Sequence, residues 1–363
     1  MNAVQDAVPV LRQFQIAGQL TDVTPYGGGH INDSYRAVYQ DAGGTQRYLL
    51  QRINHAVFKN PPALMENIAR VTAHLTGKSS APQRTLCLIR ATLGDAYHQD
   101  DVGNWWRVYR FIENAHSCEA AQTPAQALEA AKCVGHFQRQ LADLPAPRLH
   151  DTIPDFHHTP KRHAAFRAAV EADVLNRAAS VKAEIDFALR HEATTRLLLE
   201  ADLPERVTHN DTKINNVLLD DTTGEGVCLV DLDTVMPGLV VYDFGDMVRT
   251  TTSPAEEDER DLTKVTMRLP MFAALLQGYL EATEEFLTDA ERNLLVCSGK
   301  VITLEMGLRF LTDYLVGDTY YKTQRPGQNL DRCRAQFHLV QSLEDQEEAM
   351  HHVMESWKNR ATA

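Results

Sequence analysis

The chain has 363 residues, 44% of them apolar and 23% charged, with a formal charge of −13 at pH 7. That length allows two domains, each with its own core. The acidic balance argues against a nucleic-acid partner, because phosphate backbones select basic surfaces, and no apolar run approaches the length of a membrane span.

Met1 to Gly18 mixes Gln, Asp and Arg with Val, Leu, Phe and Ile, which predicts an amphipathic helix rather than a signal peptide. Val23 to Tyr39 reads as a strand, a glycine turn (Gly27, Gly28, Gly29) and a second strand, and Arg47 to Ile53 alternates as a third. Asn60-Pro-Pro is a capped helix start, and Leu64, Ile68, Val71 and Leu75 recur at helical spacing behind it. Two further strands fit Thr85 to Leu93 and Trp105 to Ile112. From Thr123-Pro124 onward the pattern is helical, through Pro160 to Ala178, Val181 to Glu200 and on to Trp357. A strand pair at 216–232 interrupts it. The expected architecture is α+β, a small strand-rich N-terminal lobe of residues 1–113 followed by a helical lobe of residues 114–363. The six cysteines are scattered with no C-x-x-C spacing, which predicts free thiols and a cytoplasmic protein.

The most informative stretch is Val207-Thr-His-Asn-Asp-Thr-Lys-Ile-Asn-Asn-Val-Leu-Leu-Asp220. A polar Gly-containing turn follows, and then Val227-Cys-Leu-Val-Asp-Leu-Asp233. Two apolar runs around such a turn form a β-hairpin, and a turn at 221–226 sets Asn216 opposite Asp231, within a one-residue slip. The loop bearing His209 and Asp211 enters at the same open end. Phosphoryl transfer needs this grouping: a carboxylate to accept the acceptor's hydroxyl proton and oxygen ligands for Mg²⁺. Asp211 is the candidate base; Asn216 and Asp231 are the candidate metal ligands. The competing reading is polar residues at a strand entrance, with Asp231 serving a turn.

The string H-x-D-x-x-x-x-N followed by Asp231 resembles the catalytic loop and metal aspartate of kinase-like phosphotransferases. No G-x-x-x-x-G-K-[ST] loop is present. Departures from protein kinases, His-Asn-Asp at 209–211, Asp-Leu-Asp at 231–233 and no A-P-E segment, are similar to the aminoglycoside phosphotransferase and choline kinase superfamily. Within it, His209 to Asn216, Leu232 to Gly238 and Tyr242-Asp-Phe-Gly-Asp246 resemble N-acetylhexosamine 1-kinases. The resemblance implies a bilobal protein-kinase-like fold, ATP and Mg²⁺ as cofactors, and a small-molecule sugar acceptor, with the chain acting as a monomer.

On the nucleotide side, Gly28 and Gly29 either approach phosphates closely or make a plain hairpin turn. The third strand, Tyr48-Leu-Leu-Gln-Arg-Ile-Asn54, lacks the lysine that kinases place there, so Gln51 or Arg52 takes its position, with Glu66 the natural partner if Arg52 does. Arg107 to Glu113 would form the hinge, with Arg110 and Ile112 offering backbone groups to adenine, unless the segment is simply core. On the acceptor side, Glu305, Arg309 and Asp313 fall at successive i+4 positions of one helix, either as a surface ladder or as sugar contacts. Tyr320 and Tyr321 would wall the sugar or join the core. Asp243, Asp246 and Arg249 are expected to brace the catalytic loop. His157, His158 and His163 lack any zinc-site pattern and are expected at the surface. Alternatives are a different small acceptor (N-acetylmuramic acid, a choline-like amino alcohol or an aminoglycoside) or an inactive nucleotide-binding module.

Overall fold

A computed structural model describes residues 3–27, 31–78 and 83–361. The strand-rich part begins with helix α1 (Ala3–Leu11), shorter than the expected Met1 to Gly18. It continues through β1 (Gln19–Pro25), β2 (Asp33–Asp41), β3 (Gly44–Ile53), α2 (Pro61–Thr76), β4 (Leu88–Ile89), β5 (His98–Gln99) and β6 (Trp105–Arg110). These strands form one antiparallel sheet in the order β1-β2-β3-β6-β4, with β5 also on β6. Of the expected Thr85 to Leu93 strand, Leu88–Ile89 pairs with β6 and Ala91 makes an isolated bridge to Phe14. The Asn60 side chain accepts the Ala63 N–H and Pro61 opens α2. The polar side chain thereby satisfies an orphan donor of the first turn. One face of the sheet packs on α1 through Leu11, Phe14, Tyr35, Leu50 and Trp106.

The helical part contains β7 (Ala115–Ser117), α3 (Pro124–Leu141), α4 (Thr159–Ala172), α5 (Lys182–Arg190), β8 (Arg206–Thr208), β9 (Val217–Asp220), β10 (Gly226–Leu229), β11 (Met236–Gly238), α6 (Val240–Thr251), α7 (Leu269–Thr283), α8 (Asp289–Val316), α9 (Gln328–Asp345) and α10 (Glu347–Ala361). The expected helix from Val181 to Glu200 breaks after Arg190, and short 3₁₀ turns flank it. Thr123 and Gln126 form a reciprocal capping box that starts α3. The largest apolar core runs from α2 through α3, α6 and α7 to α8 and joins the sheet to the helices. A second core lies between α4, α5, α8 and α9. Gly245 lets α6 close on α8: a β-carbon there would lie 2.6 Å from the Ser298 carbonyl oxygen.

Two short ladders sit inside the helical part and position the loop between them. Strands β9 and β10 form the expected hairpin, with Leu229 opposite Val217 and a bulge between Gly226 and Cys228. At the open end the register is one residue off the expected one, so Val230 rather than Asp231 donates its N–H to the Asn216 carbonyl at 2.8 Å. Strands β8 and β11 pair with Thr208 opposite Met236.

Candidate active site

Loop 209–216 leaves β8 and is held from below by α6. Asp243, in the first turn of α6, accepts the N–H groups of His209 (2.9 Å) and Asn210 (2.6 Å) and the Gln138 amide (2.6 Å). The Thr212 hydroxyl donates to the Asp243 carbonyl. Burial pushes the Asp243 carboxyl upward despite these donors and His209. Asn210 has φ +65°, a left-handed conformation that Asn tolerates better than most residues. Its side-chain amide donates to the Thr234 carbonyl at 2.9 Å, which locks it there.

His209 does not reach the cleft. Its Nε2 donates to the Val230 carbonyl at 2.9 Å, and its Nδ1 accepts the Asp211 N–H at 3.3 Å. The ring therefore carries its hydrogen on Nε2 and orients the backbone of the residue two places on. The Asp211 side chain keeps 26% of its surface open, and Lys213 Nζ sits 3.1 Å from its Oδ2. Asn216 donates its amide to the Asp211 carbonyl (2.8 Å) and to Oδ2 (3.3 Å). Oδ1 of Asp211 has no hydrogen-bond partner among the described residues. Burial raises the Asp211 carboxyl, but Lys213, His209 and Arg249 outweigh it and the net shift is downward, so the group is an ionised acceptor near neutral pH.

Asp231 begins a 3₁₀ turn with φ +61° and is exposed. Although its surface is accessible there, desolvation by the surrounding protein, with Asp233 and Asp211 close by, pushes its carboxyl up to about 6. Arg107 and Lys213 only partly offset this. Such a carboxylate has unmet demand for positive charge. With the amide nitrogen of Asn216 committed to Asp211, its Oδ1 is the atom left for a cation, so the pair fits a hard ion that takes oxygen ligands. No three His, Cys, Asp or Glu side chains converge as a metal cage among the described residues. The pair suits an ion that brings phosphate oxygens with it rather than one held by protein alone.

The small-lobe side of the cleft departs from expectation. Arg52 points away from it, pairing with Asp33 and lying over the Trp106 ring. Glu66 bonds His150 instead of Arg52, at 2.9 Å. The Glu66–Arg52 pair does not form, because β-strand alternation sends Arg52 to the opposite face from Gln51. Gln51 donates to Ser34 on β2 and accepts from Arg107 Nε at 3.0 Å on β6. Arg107 is 1% exposed and pairs with Asp233, which also accepts the Asn32 amide at 2.6 Å. Arg107 and Asp233 were missed in the sequence: a lone arginine within Trp-Trp-Arg-Val-Tyr gave no sign of its partner. Gly28 and Gly29 lie outside the described residues. At the hinge, the Arg110 N–H is already given to the Cys87 carbonyl, whereas the Ile112 amide has no partner among the described residues.

On α8, where the sequence predicts sugar contacts, the structure differs more. Glu305 is 0% exposed and both its oxygens are taken, by His157 Nδ1 at 2.9 Å and Thr159 Oγ1 at 2.7 Å. It cannot touch a substrate. His157 and His163 are buried rather than at the surface, and His158 caps α4 by accepting the Lys161 N–H. Arg309, one turn beyond Glu305, packs its guanidinium on the rings of Phe156 (5.2 Å), Tyr321 (5.7 Å) and Tyr320 (6.0 Å). Asp313 organises the following loop by accepting the N–H groups of Thr319, Tyr320 and Tyr321 and the Asn329 amide. Tyr320 is 61% exposed. Arg249 bonds Asp246 at 2.8 Å and lies 3.6 Å from Glu257. The i+4 spacing found this stripe; its inward turn came from helix packing.

A strand-rich sheet above a helical part, with an Asp–Asn–Asp group at their junction, defines a protein-kinase-like phosphotransferase fold. The phosphotransferase enzyme family matches residues 22–290, and the chain belongs to that family. Its structure is similar to an aminoglycoside phosphotransferase from Alicyclobacillus acidocaldarius (TM-score 0.62, 14% identity, 96% of each chain covered). It is also similar to a spectinomycin phosphotransferase solved with ADP and spectinomycin (TM-score 0.61, 14% identity, 95% of this chain and 98% of that one). A choline kinase from Cryptosporidium parvum matches at TM-score 0.54 and 14% identity, over 97% of this chain and 99% of that one.

Proposed function

We propose that this protein is an ATP-dependent sugar 1-kinase that transfers the γ-phosphoryl group to the anomeric hydroxyl of an N-acetylhexosamine. The observation that carries the kinase reading is the convergence of Asp211, Lys213, Asn216 and Asp231 at one cleft, with Asp211 Oδ1 unengaged. Asp211 takes the proton of the anomeric hydroxyl as the oxygen–phosphorus bond forms; the bond to the β–γ bridging oxygen breaks and its electron pair leaves with ADP. Lys213, next to the base, is placed to face the anionic group in transit. Asn216 and Asp231 would hold Mg²⁺, whose contribution is to neutralise charge on the phosphates. Residues 1–113 form the nucleotide lobe, with Ile112 reading the adenine edge, and residues 114–363 the catalytic and acceptor lobe of a cytoplasmic monomer.

The acceptor assignment draws on Arg309. Its guanidinium, on three aromatic rings, repels a cationic amine and suits hydroxyl and carbonyl oxygens. An amine acceptor is the second reading, favoured by the overall acidity and by the fold relatives, a spectinomycin phosphotransferase and a choline kinase. Measuring ADP release with N-acetylglucosamine, N-acetylgalactosamine, spectinomycin, choline and ethanolamine separates the two. A 1-phosphate seen by phosphorus NMR, and none from the 1-O-methyl glycoside, is expected. Turnover of an amine alone would overturn the sugar assignment.

A further inference from the structure

We infer that His157 is a charged positioning residue: as an imidazolium paired with Glu305 it pins the peptide unit between Asn210 and Asp211 and so aims the base. The inference rests on the reading of Asp211 as that base. Nδ1 of His157 meets Glu305 Oε1 at 2.9 Å and Nε2 meets the Asn210 carbonyl oxygen at 3.0 Å. A carbonyl can only accept, and an ionised carboxylate can only accept, so both ring nitrogens must donate. That requires the cation.

The surroundings favour charge on both partners. From α8, Glu305 and Arg309 face the ring's neighbourhood, and Arg309 lies 4.0 Å from Glu305, which keeps the carboxyl ionised. From α6, Asp246 adds negative charge and the Tyr242 ring lies 5.1 Å away. From α4, Arg162 acts on Glu305, and Tyr320 and Tyr321 act on Arg309 from the loop after α8. Thr159 completes the Glu305 site. Burial alone would strip the proton from His157, but Glu305 and the Asn210 carbonyl outweigh it and hold its pKa above the usual histidine value.

The geometry makes this consequential for catalysis. One peptide plane carries both the Asn210 carbonyl and the Asp211 N–H. His157 holds its oxygen, and His209 Nδ1 holds its hydrogen at 3.3 Å. Two histidines in opposite roles, one donating twice and one accepting, therefore clamp the plane from which the base projects. Glu305 stands one turn from Arg309 on α8, so the same helix supports the base and presents the arginine assigned to the acceptor.

Because the folded-state pKa is raised, the interaction is complete below about 6.5, the ordinary histidine value, and is lost as pH rises through the folded value. The wild-type kcat should therefore fall on the alkaline side. In H157Q, kcat should fall about tenfold or more from misaimed geometry, with the ATP KM unchanged within about twofold and that alkaline limb gone. E305Q keeps an acceptor for Nδ1 but removes the counter-charge, so its limb should move to lower pH; a merely structural contact would not move it.

The direct test is nitrogen-15 NMR of the full-length wild-type chain with labelled histidine at pH 7, the His157 signals being those absent from H157Q. Both ring nitrogens protonated is the expected result. One bare nitrogen, or a folded H157Q with wild-type kcat and pH profile, would overturn the proposal. The NMR arm needs no substrate and so is independent of the acceptor assignment, whereas normal turnover in D211N would sink the base itself.

Discussion

The two faces of the cleft handle charge in opposite ways. On the helical side, Asp211 keeps 26% of its side chain open and the Asp231 carboxyl is pushed up to about 6 with too little positive charge around it. On the sheet side three arginines are already paired: Arg107 with Asp233, Arg52 with Asp33 and Arg47 with Glu113. Charge with unmet demand can act on a substrate, whereas charge satisfied inside the protein holds architecture together. Arg107 is the instructive case. It belongs to the sheet but its partner Asp233 lies in the turn that begins with Asp231, so it ties that turn to the opposite face.

The largest effect expected from this contrast is at Asp211. Asp211→Asn keeps the shape but cannot take a proton, so kcat should fall by about 10²-fold or more, with the urea midpoint little changed. Steady-state kinetics beside a denaturation curve checks both halves. Arg107→Met should invert that pattern: it leaves Asp233 buried without its partner, at a cost of about 3–5 kcal/mol in stability. Adding Asp233→Leu should recover part of the loss. If Arg107→Met unfolded at the wild-type urea concentration, the sheet-side ion pair would not be the architectural element described.

A smaller effect, opposite in sign, is expected at Asp231. Its folded carboxyl titrates near 6 against about 3.9 unfolded. The folded state therefore binds more protons in that window, and apo stability falls as pH rises through it. Asp231→Asn should remove the penalty, melting higher than wild type at pH 8 and losing the difference below about pH 4, while Mg²⁺-dependent turnover disappears. A pH series of thermal melts without nucleotide reads this directly. The smallest effect is expected for Arg52→Gln and Glu66→Gln, whose partners are exposed. Each should change stability by about 0–1 kcal/mol and leave the ATP KM near wild type. A large rise in that KM would put Arg52 back in the cleft.

Much of loop 209–216 was legible because its order is local. From His209 to Asn216 the spacing along one loop, and the hairpin that follows, bring the polar groups to a common end whatever packs around them. The pairing lies one residue off the expected register without separating Asn216 from Asp231. The capped helix start at Asn60 and the start at Thr123 were legible for the same reason, since a cap involves residues three apart. The i+4 stripe of α8 was legible as a stripe, but its direction was not. Spacing states which residues share a face, and only the neighbours decide whether that face meets solvent, substrate or core.

The amino-acid sequence by itself determined the order of a strand-rich part before a helical part, the hairpin, and the grouping of Asp211, Asn216 and Asp231, all of which follow from short-range periodicity and turn chemistry. Tertiary structure alone decided that Arg107 meets Asp233 across 126 positions and that His157 meets Glu305 across 148. It also turned Glu305 inward and sent Arg52 to the outer face. A buried charge is tolerated only beside a partner, and no local pattern announces a partner that the chain brings back from so far away.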